Sequence, residues 1–198
     1  MQTMCWANKL GKQLLCFLLS WVPIVYASAE TLRISNVSGQ AQLQMAGGAV
    51  YRVKLLADAT AVLYDSDKHK VGEGEFVSMF QALPSNPAHP TGLCGAGSEV
   101  WLYVYQVTEA DLVEKTRVLV SSCLRSISMA SQNSGSQLQD FDFSSVKWNS
   151  WGFSIEWFEK VDVLGRPLQL SKFVLQDGVF LPRDEVSQET SGNAFSGQ

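Results

Sequence analysis

The segment that most constrains the fold of this chain is residues 99–107, with the sequence EVWLYVYQV. Valine, tyrosine and tryptophan favour strands, and successive side chains of a strand point to opposite faces of the sheet. A strand with one face in water alternates apolar and polar residues, whereas this segment is apolar or aromatic at most positions. The sequence therefore predicts a central strand that is buried on both faces.

Short runs of strand-forming residues recur along the rest of the chain. They cover residues 31–37, 49–56, 60–65, 75–80, 117–129, 153–159 and 168–175. Only three residues separate 49–56 from 60–65, which predicts that these two runs form a hairpin. Asp177-Gly178 predicts a second hairpin, because both residue types tolerate the positive φ of a two-residue turn. Residues 65–74 are charged and contain glycine, which predicts a solvated connection.

One short helix is expected to start at Thr108. Asp111 follows three residues later, which resembles a capping box, and residues 111–115 tolerate a helix. Together the patterns predict a mainly β fold, a single-domain antiparallel sandwich or barrel-like sheet with one short helix and one disulfide. The expected β-rich domain covers residues 30–182, and the polar residues 183–198 are expected to be a disordered tail.

The first 29 residues have the pattern of a secretory signal peptide. Lys9 and Lys12 precede an apolar run of 13 residues at positions 14–26, and residues 27–29 supply the small side chains that a signal peptidase requires. A spanning helix needs about 20 residues, so a retained membrane anchor is the less favoured alternative. We expect export to a bacterial periplasm or to the exterior, with no membrane insertion after cleavage.

Cleavage after residue 29 removes Cys5 and Cys16 and leaves Cys94 and Cys123. A single even pair of cysteines in an oxidising compartment predicts a disulfide. The alternative is a free catalytic thiol, but the nearest histidine in sequence, His89, lies in a proline-rich stretch with no partner identifiable from spacing.

The most unusual stretch is residues 84–98, which contains three prolines, three glycines and Cys94. Proline restricts the backbone, and a loop that is rigid before binding loses little entropy on binding. This stretch is therefore a candidate recognition loop, with His89, Gly95, Gly97 and Glu99 as candidate binding residues. The alternative is a long connection between layers that the disulfide stabilises.

Residues 140–159 contain seven aromatic side chains. The alternation along residues 153–159 assigns Phe153 and Trp157 to the core. Trp148, Trp151 and Phe158 remain as exposed candidates that could stack on a sugar or form a protein-binding hot spot. The alternative is that all seven aromatic side chains pack in the core.

The sequence contains no signature motif of a hydrolase or a metalloenzyme. Residues 65–75 have the acidity of a calcium loop but not the EF-hand spacing, and a solvated turn is the favoured interpretation. Carboxylate pairs such as Asp140 with Asp142, or Glu156 with Glu159, could serve glycoside hydrolysis only if the fold brought them to catalytic separation. We therefore expect no metal, no cofactor and no catalytic residues.

Without the leader the chain carries 13 basic and 19 acidic residues, a net charge of −6. This charge argues against a nucleic-acid partner and would attract a basic protein. The leading hypothesis is an exported protein that binds and blocks a cell-wall-degrading enzyme or a toxin, as an inhibitor or an immunity protein. The alternatives are a carbohydrate-binding protein or glycoside hydrolase that uses Trp148 and Trp151, and a structural subunit of an envelope assembly.

Overall fold

A computed structural model describes residues 30–32, 39–109, 111–135, 140 and 142–187, and antiparallel strands dominate this part of the chain. The strands are β1 (Glu30–Leu32), β2 (Gln40–Gln44), β3 (Val50–Lys54), β4 (Ala61–Tyr64), β5 (His69–Val71), β6 (Gly74–Pro84), β7 (Ser98–Val107), β8 (Leu112–Ser122), β9 (Ser128–Met129), β10 (Val146–Asn149), β11 (Gly152–Glu159), β12 (Leu168–Gln176) and β13 (Val179–Val186). The predicted mainly β class is confirmed.

Strand β7 lies inside a six-stranded sheet with the order β1-β4-β6-β7-β8, in which β5 also pairs with β6. It pairs with β6 on one side and with β8 on the other. Val100, Leu102 and Val104 point into one hydrophobic cluster, while Tyr103 and Tyr105 point into another on the opposite face. The prediction of a central strand buried on both faces is confirmed.

A second sheet, with the order β10-β11-β12-β13 and with β9 paired to β11, covers one face of the central sheet. The core between the two sheets is apolar and rich in aromatic rings. On the side of the second sheet it consists of Met129, Phe143, Phe153, Ile155, Trp157, Leu168, Phe173 and Phe180. The predicted sandwich is therefore confirmed.

The hairpin of β2 and β3 covers the other face of the central sheet, where Leu43 and Val53 are buried against it. The predicted hairpin of residues 49–56 with 60–65 is wrong, because β3 pairs with β2 while β4 pairs with β1 and β6. Three consecutive residues of β4 are buried. A strand that is apolar on both faces needs a layer on each side, and only the central sheet provides both.

The helix expected at Thr108 is wrong, because the chain turns back there into β8. Thr108 Oγ1 accepts a hydrogen bond from the Asp111 amide at 3.2 Å, as in a capping box, but the Thr108 amide also donates to the Asp111 carbonyl at 2.9 Å. The same local motif thus closes a turn between two strands. In the described part of the chain the helical element is a 3₁₀ turn at Ala130–Asn133, and no helix there is long and apolar enough to cross a membrane.

The ends of the predicted domain shift slightly in the structure. Strand β13 continues to Val186, so the tail predicted from residue 183 is wrong for its first residues. The hairpin predicted at Asp177-Gly178 is confirmed, with φ values of 50° and 79° between β12 and β13. The predicted signal peptide (residues 1–29) and residues 188–198 lie outside the described residues.

Candidate functional site

Three connections project from one end of the sandwich, which we call the disulfide end. Strand β6 ends there, β7 begins there and β8 ends there. The pairing of β11 with β9 brings the second sheet to the same place. The loop 85–97, the turn 123–127 and the hairpin tip 160–167 therefore lie around one end of the molecule.

The predicted disulfide between Cys94 and Cys123 is present, with the two Cα atoms 5.7 Å apart, and it ties the loop 85–97 to the end of β8. Inside the loop, four backbone hydrogen bonds close successive turns from Asn86 to Gly97. The Asn86 side chain also donates to the Leu93 carbonyl at 3.1 Å. These contacts restrain the loop before any partner is present.

Gly95 and Gly97 are packing positions in this loop. A Cβ atom at Gly95 would lie 2.2 Å from the Pro90 carbonyl oxygen, and a Cβ at Gly97 would lie 2.7 Å from Cys123 Cβ. Both distances are far below a normal contact, so a larger residue would displace the loop. The two glycines therefore shape the loop, and the structure leaves no side chain there to contact a ligand.

Glu99 and His89 have different positions at the disulfide end. Glu99 Oε1 accepts hydrogen bonds from Ser85 Oγ at 2.6 Å and from the Leu124 amide at 3.4 Å. Its carboxylate therefore links the loop 85–97 to the turn 123–127. His89 is exposed on the outside of the loop, where a partner could reach its ring.

Trp148 is half-buried and packs against the core, so its predicted exposure is wrong. Its ring stacks on His69, with the ring centroids 4.4 Å apart and the planes 2° apart, and it also contacts Phe153 and Phe180. The Trp148 Nε1 atom is buried without a hydrogen-bond partner among the described residues. A ring that is covered in this way offers no stacking platform for a sugar.

Trp151 and Phe158 are exposed, at 37% and 58%, but they lie at opposite ends of the molecule. Trp151 is in the turn before β11, where its carbonyl accepts from the Leu175 amide at 3.1 Å near the end of β12. Phe158 lies near the other end of β11, beside the β9 pairing. The candidate residues predicted from sequence therefore form two groups, with Trp148 and Trp151 remote from the disulfide end.

The interpretation of residues 65–74 as a solvated connection did not predict the contacts that His69 makes. It begins β5, which pairs with β6, and its Nε2 lies 2.7 Å from Asp65 Oδ2. Burial alone would raise the pKa of Asp65, but the hydrogen bonds with His69 and with the Asp67 amide outweigh it and lower that pKa. His69 is half-buried because it stacks on Trp148, a residue that is remote in sequence, so the local pattern could not predict its burial.

A cleft of about 510 Å³ opens between the two sheets at the disulfide end. Its apolar lining includes Leu63, Ala82, Val100, Ile127 and Phe143. Its polar lining includes the residues Ser98, Ser121, Ser126, Ser128, Asp140 and Glu159. The sequence pattern did not reveal this cleft, because its walls come from both sheets and from segments up to about a hundred residues apart.

Large apolar side chains are exposed on the projecting connections and at the adjoining end of β11. Leu93 is 84% exposed in the loop, Val163 is fully exposed at the hairpin tip, and Leu124, Phe158, Val161 and Leu164 are exposed at the same end. The hairpin tip is braced by Asp162, whose carboxylate accepts from the Leu164 amide and from the backbone and guanidinium of Arg166. The hydrogen bond from the Arg166 amide is the main cause that lowers the pKa of Asp162.

The described residues contain no group of three or more His, Cys, Asp or Glu side chains that could hold a metal ion. No protein-family model matches the chain, and neither a curated protein nor a solved structure is significantly similar to it. The chemistry of the disulfide end is therefore the basis on which its function can be argued.

Proposed function

We propose that this chain is an exported binding protein, without enzymatic activity, that blocks a basic cell-wall-degrading enzyme or toxin through its disulfide end. The observation that carries the proposal is the set of exposed apolar side chains on restrained loops, above all Leu93 and Val163. Single exposed apolar residues are ordinary on a protein surface, whereas several grouped at one end are typical of a protein-binding surface.

The restraint of these loops supports binding. The disulfide and the backbone turns hold Leu93, and the Asp162 side chain holds the hairpin tip that carries Val163. A side chain that is already ordered costs less entropy when it enters a partner's pocket.

The charge of the chain supports a basic partner. Residues 30–198 carry a net charge of −6, and the described residues that line the cleft include Asp140 and Glu159 but no lysine or arginine. Complementary charge accelerates encounter between two proteins and disfavours partners of the same sign. Bacterial cell-wall hydrolases and toxins of basic charge fit this requirement.

Site-specific photocrosslinking in cells that export the protein tests the proposal. A photoreactive amino acid replaces Leu93 or Val163 at the disulfide end, and Val179 at the opposite end serves as a matched exposed control. We expect one protein to be captured from Leu93 and from Val163 but not from Val179. A capture from Val179 alone, or no capture from any position, would contradict the proposal.

A glycoside hydrolase is the second candidate, because Asp140 and Glu159 both line the cleft. This pair differs from the neighbouring pairs considered in the sequence, and Glu156 is instead paired with Lys147 at 2.8 Å. Hydrolysis of a glycan requires two carboxylates on either side of the scissile bond. Turnover of peptidoglycan by purified protein, abolished by Glu159→Gln, would establish this alternative and would exclude the non-enzymatic function.

A further inference from the structure

The cleft at the disulfide end combines an apolar floor with acceptors near its mouth. Leu63, Val100 and Phe143 belong to the core between the sheets and form part of the floor. Asp140 and Glu159 add two carboxylates, and serine hydroxyls from β7, β8 and β9 line the remaining wall. A ligand that fits this cleft needs an apolar stem that ends in several hydrogen-bond donors and a positive charge.

Basic side chains next to the cleft in sequence do not line it. Lys160 follows Glu159 directly, but its Nζ lies 3.8 Å from the centroid of the Trp157 ring. Burial lowers the pKa of Lys160, and the charge of Asp184 offsets part of that effect. Arg125 lies in the turn 123–127 and is absent from the lining. Among the described residues, no lysine or arginine therefore lines the cleft beside these carboxylates.

The backbone of Asp140 is held in place by Gln132. Gln132 Oε1 accepts from the Met129 amide at 3.0 Å, and Gln132 Nε2 donates to the Asp140 carbonyl at 3.2 Å. Ser131 Oγ donates to the Asp142 carbonyl at 2.6 Å and fixes the chain just beyond. The backbone at Asp140 is thus tied to the 3₁₀ turn by a hydrogen bond, and the exposed Asp140 side chain belongs to the lining of the cleft.

We propose that the cleft is the socket for an arginine side chain of the blocked protein, an inference that rests on the proposed function. The three methylene groups of arginine would cover the apolar floor, and the five N–H donors of its guanidinium would meet the carboxylates and hydroxyls of the cleft. The exposed apolar side chains of the three connections would then pack around the inserted arginine. Apolar side chains that pack around the inserted arginine would exclude water from the contact and strengthen it.

The inference is tested without the partner, by nuclear magnetic resonance titration of the exported protein. The probe is Nα-acetyl-L-arginine N-methylamide, and the matched control is the citrulline compound, which has the same stem but an uncharged urea. We expect the arginine probe to shift the amide signals of residues 126–128 saturably, and the citrulline compound to leave them unchanged. Equal binding of the two compounds, or shifts confined to the Trp151 end, would overturn the inference.

A pair of double variants separates the cleft from general surface charge. Asp140→Asn with Glu159→Gln removes two charges from the cleft, and Asp111→Asn with Glu114→Gln removes two at the opposite end. We expect the first pair to weaken binding of the arginine probe at least tenfold and the second to change it less than twofold. An unchanged affinity in the first pair would overturn the inference.

Failure of the socket and failure of the proposed function give different results. The probe titration requires no partner. If the arginine probe binds but no protein is crosslinked from Leu93 or Val163, the result would count against the blocking function alone. Retained crosslinks with no arginine binding would count against the socket alone. Once a partner is captured, the cleft double variant should weaken its affinity at least tenfold, and an unchanged affinity would overturn the socket.

Discussion

The two histidines of the chain differ in what their rings contact. His69 is half-buried, stacks on Trp148 and reaches Asp65, so it connects the hairpin of β5 and β6 to the second sheet. His89 is exposed on the loop 85–97. Neither histidine lies in a run of strongly apolar residues, so the difference between them arises from the fold.

Replacing His69 by alanine should lower the free energy of unfolding by about 1–2 kcal/mol, because it removes one aromatic stacking contact and one hydrogen bond. His89→Ala is the matched control and should change it by less than about 0.5 kcal/mol, as expected at an exposed site. Denaturant unfolding of both variants measures the difference. Equal values for the two variants would show that the stacking on Trp148 adds no stability.

The ionisation of Asp65 should make the free energy of unfolding depend on pH in the acid range. The pKa of Asp65 is lowered in the folded state, so the unfolded chain binds the proton more readily. The free energy of unfolding therefore decreases as the pH falls below the ordinary carboxyl value of about 4. Above that value this contribution is fully present. Unfolding free energies measured between pH 6 and pH 3 should therefore fall less steeply in Asp65→Asn than in the wild type, and an equal slope would contradict this assignment.

At the scale of elements, the disulfide and the glycines determine the shape of the loop 85–97. The disulfide closes a separation of 29 residues, and Gly95 packs directly against the Pro90 backbone. The sequence singled out this loop as rigid, and the cysteine pairing was predictable from the even number of cysteines outside the predicted leader. The close approach of Gly95 to Pro90 was not predictable, because it depends on how the turns fold back on one another.

The disulfide should contribute about 3.5 kcal/mol to stability in the chain-entropy model for a loop of this length. The variant in which Cys94 and Cys123 are both replaced by serine should therefore lose about 2–5 kcal/mol in denaturant unfolding. Mass analysis after alkylation should find no free thiol at Cys94 or Cys123 in the native protein. Quantitative alkylation of both cysteines under native conditions would contradict the bond.

Gly95→Ala should lower the unfolding free energy by about 1–3 kcal/mol, since its Cβ would overlap the Pro90 carbonyl. Gly47→Ala is the control, because its Cβ would meet no atom within 4 Å and its φ is not positive. We expect that control to be neutral or slightly stabilising, because alanine restricts the unfolded chain. Thermal unfolding followed by circular dichroism compares the two variants, and equal losses would contradict the packing role of Gly95.

At the scale of the whole molecule, local patterns predicted the strands well and their partners less well. The apolar faces of residues 99–107 required a central strand, and Asp177-Gly178 required a tight turn, because both signals act within a few residues. The pairing of β3 with β2 depends on which layer each strand covers. The separation of Trp151 from the disulfide end, and the cleft itself, depend likewise on the packing of the two sheets.

Strand β13, at one edge of the second sheet, is protected in a way that favours binding through the loops. Pro182 lies within β13 and has no backbone N–H to donate, and Arg183, Asp184 and Glu185 follow it on the same exposed strand. Proline and charge on an edge strand oppose pairing with a further strand. A partner that adds a strand to β13 is therefore disfavoured, whereas the disulfide end offers apolar side chains on restrained connections.

The affinity of the crosslinked partner for two surface variants tests the central claim most directly, and isothermal titration calorimetry measures it. Leu93→Asp places a charge on the exposed anchor of the disulfide end, and Val179→Asp places one at the opposite end. If the disulfide end is the binding surface, Leu93→Asp should weaken the complex by about 30-fold or more, as for a hot-spot residue, and Val179→Asp by less than about twofold. The reverse order, with Val179→Asp weakening the complex and Leu93→Asp leaving it intact, would contradict the account.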